Sequence, residues 1–504
     1  MPPARNVLLV TVDQWRGDCL SVLGHPVVRT PNLDRLASEG VLFREHFAQA
    51  APCGPSRASL FTGMYAHNHR SVLNGTPLDA RFTNLALEAR ALGYDPALFG
   101  YTDTSVDPRT VPPGDPRLST YEGVLPGFRA VVELPEHLEA WARWLIGLGY
   151  DVPSDRRELY RPAGDGPGAP TVYAAEHTEA AFLTGELLRW LDHDAGAEPW
   201  FVHVAYIRPH PPFVAPAPYN AMYDPDDVPA PVRHPTVEEE AAQHPFLAGA
   251  LSMREVRSPS DERELRQLRA TYFGMQSEVD AQLGRLFDGL RARALWDDTL
   301  VVVTSDHGEQ LGDHWLIEKL GWFDQSYRIP LIVRDPRPAA DGTRGRVVDA
   351  FTENVDVMPT ILEWLGGETP VQCDGRSLLP WLHGGTPSRW RDAVFWSFDF
   401  RDPVGAARGE SIGLDLDESC LTVIRDRRAK YVHFAALPPL FYDLERDPDE
   451  LHDRVTDPAY TSRVLAYAQR MLSWRMRTDD RTLTGLFLGP DGLVDARARS
   501  RAVL

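Results

Sequence analysis

The chain has 504 residues, of which 43% are apolar and 25% charged, and carries a formal net charge of −20 at pH 7. That length exceeds what one hydrophobic core ordinarily serves, so two domains are expected. The acidic balance argues against nucleic acid or an anionic membrane as partner, both of which want basic patches, but not against a small anionic substrate whose charge is met locally.

In chain order, residues 7–12 form an apolar, β-rich run, too short for a secretory core and ended by Asp13. It reads as a strand covered on both faces. Thr30-Pro31 opens a helix in which Thr30 caps and Pro31 takes the first position; Leu33, Leu36 and Ala37 share one face and Gly40 closes it. Residues 84–92 followed by Gly93 repeat that form, and 97–101 is the next strand. A helix over 174–191 precedes a strand over 200–207, and a helix over 261–295 precedes a strand over 300–304. Helices alternating with apolar strands imply an α/β fold with a mostly parallel sheet between helix layers. The stretches 105–170 and 208–260 are irregular and Pro/Gly-rich, the form of lids and binding loops.

After Leu382-His383-Gly384-Gly385 the texture changes to short strands (393–397, 420–424, 430–434) and a helix near 460–474. The expected organisation is a catalytic α/β domain over 1–385, a smaller C-terminal α+β domain over 386–478, and a tail over 479–504 that serves as an oligomerisation arm. No stretch reaches the length of a membrane span. The four cysteines, Cys19, Cys53, Cys373 and Cys420, form no C-x-x-C pair, which points to a reduced, cytoplasmic protein rather than a disulfide framework.

Two strands end in chemistry. Asp13-Gln14 comes directly after the first, and Ser305-Asp306-His307-Gly308-Glu309 directly after 300–304. Sites in open α/β sheets lie at the carboxyl ends of strands. Asp13, Gln14, Asp306 and His307 offer two carboxylates, an amide oxygen and an imidazole, a set suited to one divalent metal ion, Mn²⁺ first and Ca²⁺ as the alternative. An Asp after a strand also serves as a turn cap, so each pair alone says little; together they single out a centre. The third signal is Pro52-Cys53-Gly54-Pro55-Ser56-Arg57-Ala58-Ser59-Leu60-Phe61-Thr62-Gly63, where Pro and Arg stand at plus two and plus four from a cysteine. A lone buried cysteine is ordinarily a structural thiol.

With both strand-end pairs, this run resembles the sulfatase branch of the alkaline phosphatase superfamily. The resemblance reaches from residue 6 to about 476, through 355–362, 374–379 and 442–448. It implies an alkaline phosphatase-like fold and conversion of Cys53 to formylglycine by a maturation enzyme. Typical arylsulfatases carry Gly-Lys-x-His after the third strand, where this chain has Gly100-Tyr101-Thr102-Asp103-Thr104. That stretch, with 206–213 and 312–319, is similar to the phosphonate monoester hydrolases, which act on phosphonate monoesters, phosphodiesters and sulfate esters and are typically cytoplasmic homotetramers. The resemblance implies a metal held by Asp13, Gln14, Asp306, His307 and the modified Cys53. It implies Cys53, Arg57, His210 and Lys319 as catalytic, with Asn74, Tyr101, Thr102, His210 and Lys319 touching a small anionic ester. Asp103 stands where the relatives carry Thr: either an extra carboxylate that would disfavour a dianion or a side chain that points away, with Thr102 or Thr104 taking the threonine's part. Glu309 and Asp313 are expected to orient ligands; His67 and His69 receive no role.

The implied chemistry is attack by the hydrated aldehyde, proton donation to the leaving alcohol by His210 or Lys319, and release of phosphonate or sulfate by C–O cleavage of the hemiacetal ester. An arylsulfatase proper is the alternative, and a catalytically silent relative or a two-metal phosphatase stands further off.

Overall fold

A computed structural model of the chain describes residues 5–135, 138–166, 168–402 and 413–496. Its main sheet has eight strands in the order Arg346–Val348, Val41–Phe43, Leu331–Arg334, Thr299–Thr304, Asn6–Val12, Phe201–Tyr206, Ala97–Gly100, Arg129–Glu133. Neighbours run parallel except around Leu331–Arg334, which is antiparallel to the strands on both sides. The mostly parallel α/β sheet expected from the sequence is therefore present.

The first strand shows why such a sheet must be covered twice. Leu8, Val10 and Val12 face a core shared with helices Pro31–Glu39, Glu179–His193 and Glu262–Ala292. Val7 and Leu9 face the opposite core, where helices Cys53–Thr62, Leu85–Ala91 and Val357–Trp364 pack. Side chains alternate faces along a strand, so a β-branched run without polar breaks is buried on both. Fully burying each such side chain contributes about 1.5–3 kcal/mol.

A second sheet of five strands has the order Leu440–Tyr442, Lys430–Phe434, Cys420–Arg425, Val394–Asp399, Ala50–Ala51. Helix Thr461–Thr478 packs on it through Tyr467, Met471 and Trp474. Ala50–Ala51 leads directly into helix Cys53–Thr62, so the second sheet grips the chain immediately before Cys53.

Several elements differ from expectation. Thr30 occupies the N-cap position of Pro31–Glu39 but makes no cap bond; its hydroxyl instead accepts from Ser21 N at 3.0 Å. Helix Glu179–His193 starts five residues later than the sequence suggests, capped by Thr178 Oγ1, which accepts from Ala181 N at 3.1 Å. Within 105–170 lie strand Arg129–Glu133 and helix Glu139–Gly147, and within 208–260 the short helices Val237–Ala241 and Pro245–Ser252. Among its described residues the tail forms a hairpin, Leu486–Gly489 with Gly492–Asp495. No helix among the described residues is long and apolar enough to cross a membrane.

Candidate active site

The carboxyl ends of the two central strands come together by register. Thr11 pairs with Thr304, which places Asp13 and Asp306 side by side. Gln14 turns the chain with a left-handed φ of 64°, a conformation costly for a residue with a side chain and found where geometry matters. Its N–H donates to Asp306 Oδ1 at 3.1 Å and its carbonyl accepts from Tyr272 Oη at 2.7 Å. Gly308 makes the second turn: a Cβ there would lie 2.0 Å from the Gln325 carbonyl, so only glycine permits that approach.

Cys53 is the first residue of helix Cys53–Thr62, whose N-terminal end points at this centre. Its Sγ lies 3.2 Å from His307 Nε2 and 3.9 Å from Asp13 Oδ1. Ligand atoms of Asp13, Cys53, Asp306 and His307 all fall within 4.8 Å of one another, and all four residues are buried. One turn along the helix, Arg57 is fully buried and touches three carboxylates: Asp306 at 2.9 Å, Asp13 at 3.1 Å and Asp103 at 3.6 Å. Tyr101 Oη accepts from Arg57 Nη2 at 2.9 Å and donates to Asp13.

On the other side Lys319 Nζ donates to Gln14 Oε1 at 2.7 Å, pairs with Glu318 at 2.9 Å and lies 3.2 Å from His210 Nε2. His210 Nδ1 lies 2.8 Å from the Pro211 carbonyl, which assigns the ring proton to Nδ1 and leaves Nε2 to accept from Lys319. Glu309, buried behind the metal-type donors, accepts from Gln14 Nε2, from Leu311 N at 2.7 Å and from Glu318 N at 2.8 Å.

The electrostatics come from burial set against opposed charge. Burial disfavours ionising Asp13, yet the permanent cations beside it, Arg57 and Lys319, hold its carboxyl below the ordinary range. Burial also opposes the charge on Lys319, but Glu318 and Asp13 raise it above a normal lysine, so it stays protonated. His210 is pushed down by burial and by Lys319, consistent with a neutral ring. Burial, with Asp13 added, drives the Cys53 thiol up. Glu309 is pushed up to about 8 by burial and by Glu318.

A cavity of about 300 Å³ opens onto this cluster. Asp13, Cys53, Asn74, Tyr101, Asp103, His210 and Lys319 line it, and Leu134, Leu138, Tyr160, Ile207, Pro211 and Pro212 form an apolar wall. The residues named from sequence therefore converge, except Thr102 and Asp313. Thr102 turns away: its hydroxyl donates to Gly123 O at 2.9 Å and accepts from Leu125 N at 2.8 Å, and it is not part of the cavity lining. Asn74 approaches as expected, its Oδ1 accepting from Gly54 N at 2.8 Å. Asp103 does not point away; it lines the cavity and completes the carboxylate shell of Arg57. Asp313 pairs with Arg16 at 2.6 Å rather than with the metal-type donors, and His69 bonds Ser59 Oγ at 2.9 Å. Sequence reasoning misses the apolar wall and Glu318; only the adjacency of Glu318 to Lys319 signals any of it.

Comparison with known proteins agrees with this geometry. The sulfatase family profile matches residues 5–367, and a profile described as the C-terminal part of N-sulphoglucosamine sulphohydrolase matches 312–477. The multifunctional alkaline phosphatase superfamily protein PehA of Trinickia caryophylli is 47% identical, covering 97% of this chain and 98% of its own. The arylsulfatase of Clostridium perfringens is 27% identical, over 91% of this chain and 92% of its own. Among solved structures, the phosphonate monoester hydrolase of Agrobacterium radiobacter superimposes with a TM-score of 0.93 at 49% identity, covering 97% of this chain and 99% of that one. The phosphonate monoester hydrolase of Silicibacter pomeroyi gives 0.91 at 40% identity, with the same two coverages. The chain belongs to the sulfatase family of the alkaline phosphatase superfamily.

Proposed function

We propose that the chain is a metal- and formylglycine-dependent hydrolase of phosphonate monoesters and phosphodiesters, with sulfate esters as further substrates. The observation that carries this reading is the convergence of Asp13, Asp306 and His307 on Cys53 at a helix N-terminus, at the floor of a cavity with one apolar wall. The donors fit one divalent ion: oxygen-rich, with a single imidazole and the Gln14 amide oxygen alongside, as Mn²⁺ or Ca²⁺ prefers. Such an ion would draw charge from the ester's oxygens and favour the ionised nucleophile. Formylglycine at position 53 would supply an aldehyde hydrate, a nucleophile with a second hydroxyl for release.

The chain's own residues supply the rest. Arg57 fixes Asp13 and Asp306 and stacks 4.2 Å from the Tyr101 ring centre, so the donor carboxylates have no freedom to turn. Protonated Lys319 brings positive charge to an anionic ester, and the His210–Lys319 pair holds the proton that the leaving alcohol needs. Leu134, Leu138 and Tyr160 keep water from the leaving group and favour an aryl or alkyl alcohol. The named activities of the two structural neighbours support this substrate class, and Tyr101 with Asp103, in place of the lysine and histidine of arylsulfatases, favours a singly charged ester. The test is relative turnover of a phenyl phosphonate monoester, an aryl phosphodiester and an aryl sulfate. The phosphorus esters are expected to be faster; a sulfate faster by tenfold or more, about 1.4 kcal/mol in the barrier, would overturn the assignment.

Maturation by a formylglycine-generating or equivalent enzyme is part of this proposal, as is a reducing cytoplasmic setting, supported by four unpaired cysteines. A homotetramer is proposed as well. The hairpin arm exposes Leu488 by 89% and Leu493 by 64%, apolar surface that a neighbouring subunit would cover. Light scattering on a chain cut after residue 478 is expected to give a smaller assembly; an unchanged mass would remove the arm from the interface.

A further inference from the structure

His210 rides on Arg208-Pro209-His210-Pro211-Pro212-Phe213, a segment without regular secondary structure. Its three prolines donate no backbone hydrogen bond, so no ladder can hold it. Apart from a turn bond from His210 N to the Ile207 carbonyl at 3.0 Å, one side chain grips it. Arg208 Nη1 donates to the carbonyls of both His210 and Pro212, each at 2.7 Å, so it grips the backbone at the histidine and two residues beyond. Arg208 is 3% exposed, and its Nε donates to Glu179 Oε1 at 2.7 Å. Its guanidinium lies 4.0 Å over the ring of Tyr160, whose own hydroxyl is 3.3 Å from the same Glu179 oxygen. Glu179, 1% exposed, sits in the first turn of helix Glu179–His193.

Burying an ion pair costs desolvation that an apolar pair of the same volume would avoid. Here the pair lies directly behind a catalytic loop, and Tyr160 belongs both to the clamp and to the apolar wall of the cavity. A planar guanidinium holds a carboxylate from one fixed nitrogen and two carbonyls from another; lysine's three donors sit on one nitrogen and do not reproduce that geometry. The end of the chain of contacts is the ring itself, with Nδ1 set on the Pro211 carbonyl and Nε2 toward Lys319.

We infer that Arg208, anchored by Glu179 and Tyr160, is the positioning residue that fixes His210 against Lys319 for proton delivery to the departing alcohol. This rests on the proton-donor role given to the His210–Lys319 pair above. Arg208 touches no substrate; its effect passes through His210. The consequence is selective: an ester whose leaving group needs a proton depends on the clamp, and one with a well-stabilised leaving anion does not.

The experiment compares two aryl phenylphosphonate monoesters, one releasing phenol and one releasing 4-nitrophenol, on full-length, metal-loaded, matured enzyme. His210→Ala is expected to lower kcat on the phenyl ester by about 10²-fold or more, the scale of general acid catalysis, and far less on the nitrophenyl ester. Arg208→Gln is expected to show the same pattern with about tenfold loss on the phenyl ester. Added to His210→Ala, it should change neither ester further, because coupled residues are non-additive. Arg208→Lys keeps the charge beside Glu179 and is expected to fall between; it carries the test by the same criteria if the Gln variant does not fold. Equal losses on both esters, or a further loss in the His210→Ala background, would overturn the positioning role while leaving the donor pair intact. An His210→Ala variant that loses equally on both esters would instead remove the donor role, and the clamp's with it.

Discussion

Two cavities of this molecule invite comparison. The one before Cys53 holds about 300 Å³. The other, about 1190 Å³, lies between helix Thr461–Thr478 and the segments 373–376 and 389–393, and is lined by six arginines. In the larger one Arg391, Arg470 and Arg481 are paired with Asp356, Asp426 and Asp374, while Arg376, Arg389 and Arg477 stand exposed. In the smaller one opposed charges are buried together, and Arg57, Gln14 and Glu318 aim the groups that face the cavity. Exposed charges are screened and mobile, whereas buried ones are fixed and perturb each other strongly. Convergence, not volume, marks the chemical centre.

Substitutions sharpen that contrast. Cys53→Ala is expected to lower kcat by about 10⁴-fold or more, the scale of losing a catalytic nucleophile, with Cys53→Ser leaving at most a slow or single-turnover enzyme. Steady-state and burst kinetics check both, and undiminished multiple turnover in either would remove Cys53 from the chemistry. Lys319→Ala is expected to cost about 10²–10⁴-fold in kcat on esters of poor leaving groups, measured against leaving-group pKa. Glu309→Gln keeps the volume and an oxygen for Leu311 N and Glu318 N, but turns an NH2 group toward the Gln14 amide nitrogen, so Gln14 loses its orientation. About a 10–100-fold drop in metal affinity is expected, read by titration of metal-stripped protein and by one-ion stoichiometry in the parent enzyme. In the larger cavity, Arg376→Ala combined with Arg389→Ala is expected to leave turnover within about twofold, as exposed substitutions ordinarily do. A tenfold loss there would shift the chemistry toward the larger cavity.

Much of the site is legible in the sequence because it hangs on long, strongly patterned elements. Residues 7–12 and 300–304 are unbroken β-rich runs, and the pairs at their ends, Asp13-Gln14 and Asp306-His307, sit where parallel strands deliver their side chains. Strands Val41–Phe43 and Leu331–Arg334 are too short to show a period, and the sequence alone does not reveal them. Strand Arg129–Glu133 lies at the sheet edge with exposed residues, so its apolar signal is diluted by Pro/Gly-rich flanks. The cavity wall is illegible for a related reason: Leu134, Leu138 and Tyr160 reach it from irregular or weakly patterned chain, where neither spacing nor composition states direction. Thr102 shows the limit at the scale of one residue. Its neighbours Tyr101 and Asp103 both face Arg57, and the backbone between them turns its hydroxyl to Gly123 instead.

On this reading the nucleophile is made from Cys53 rather than encoded. Mass spectrometry of the peptide spanning Cys53, from the same preparation whose turnover is measured, tests that most directly. The expected result is the mass loss of thiol-to-aldehyde conversion, in a fraction that tracks specific activity. A fully active preparation in which that peptide carries only unmodified cysteine would contradict it.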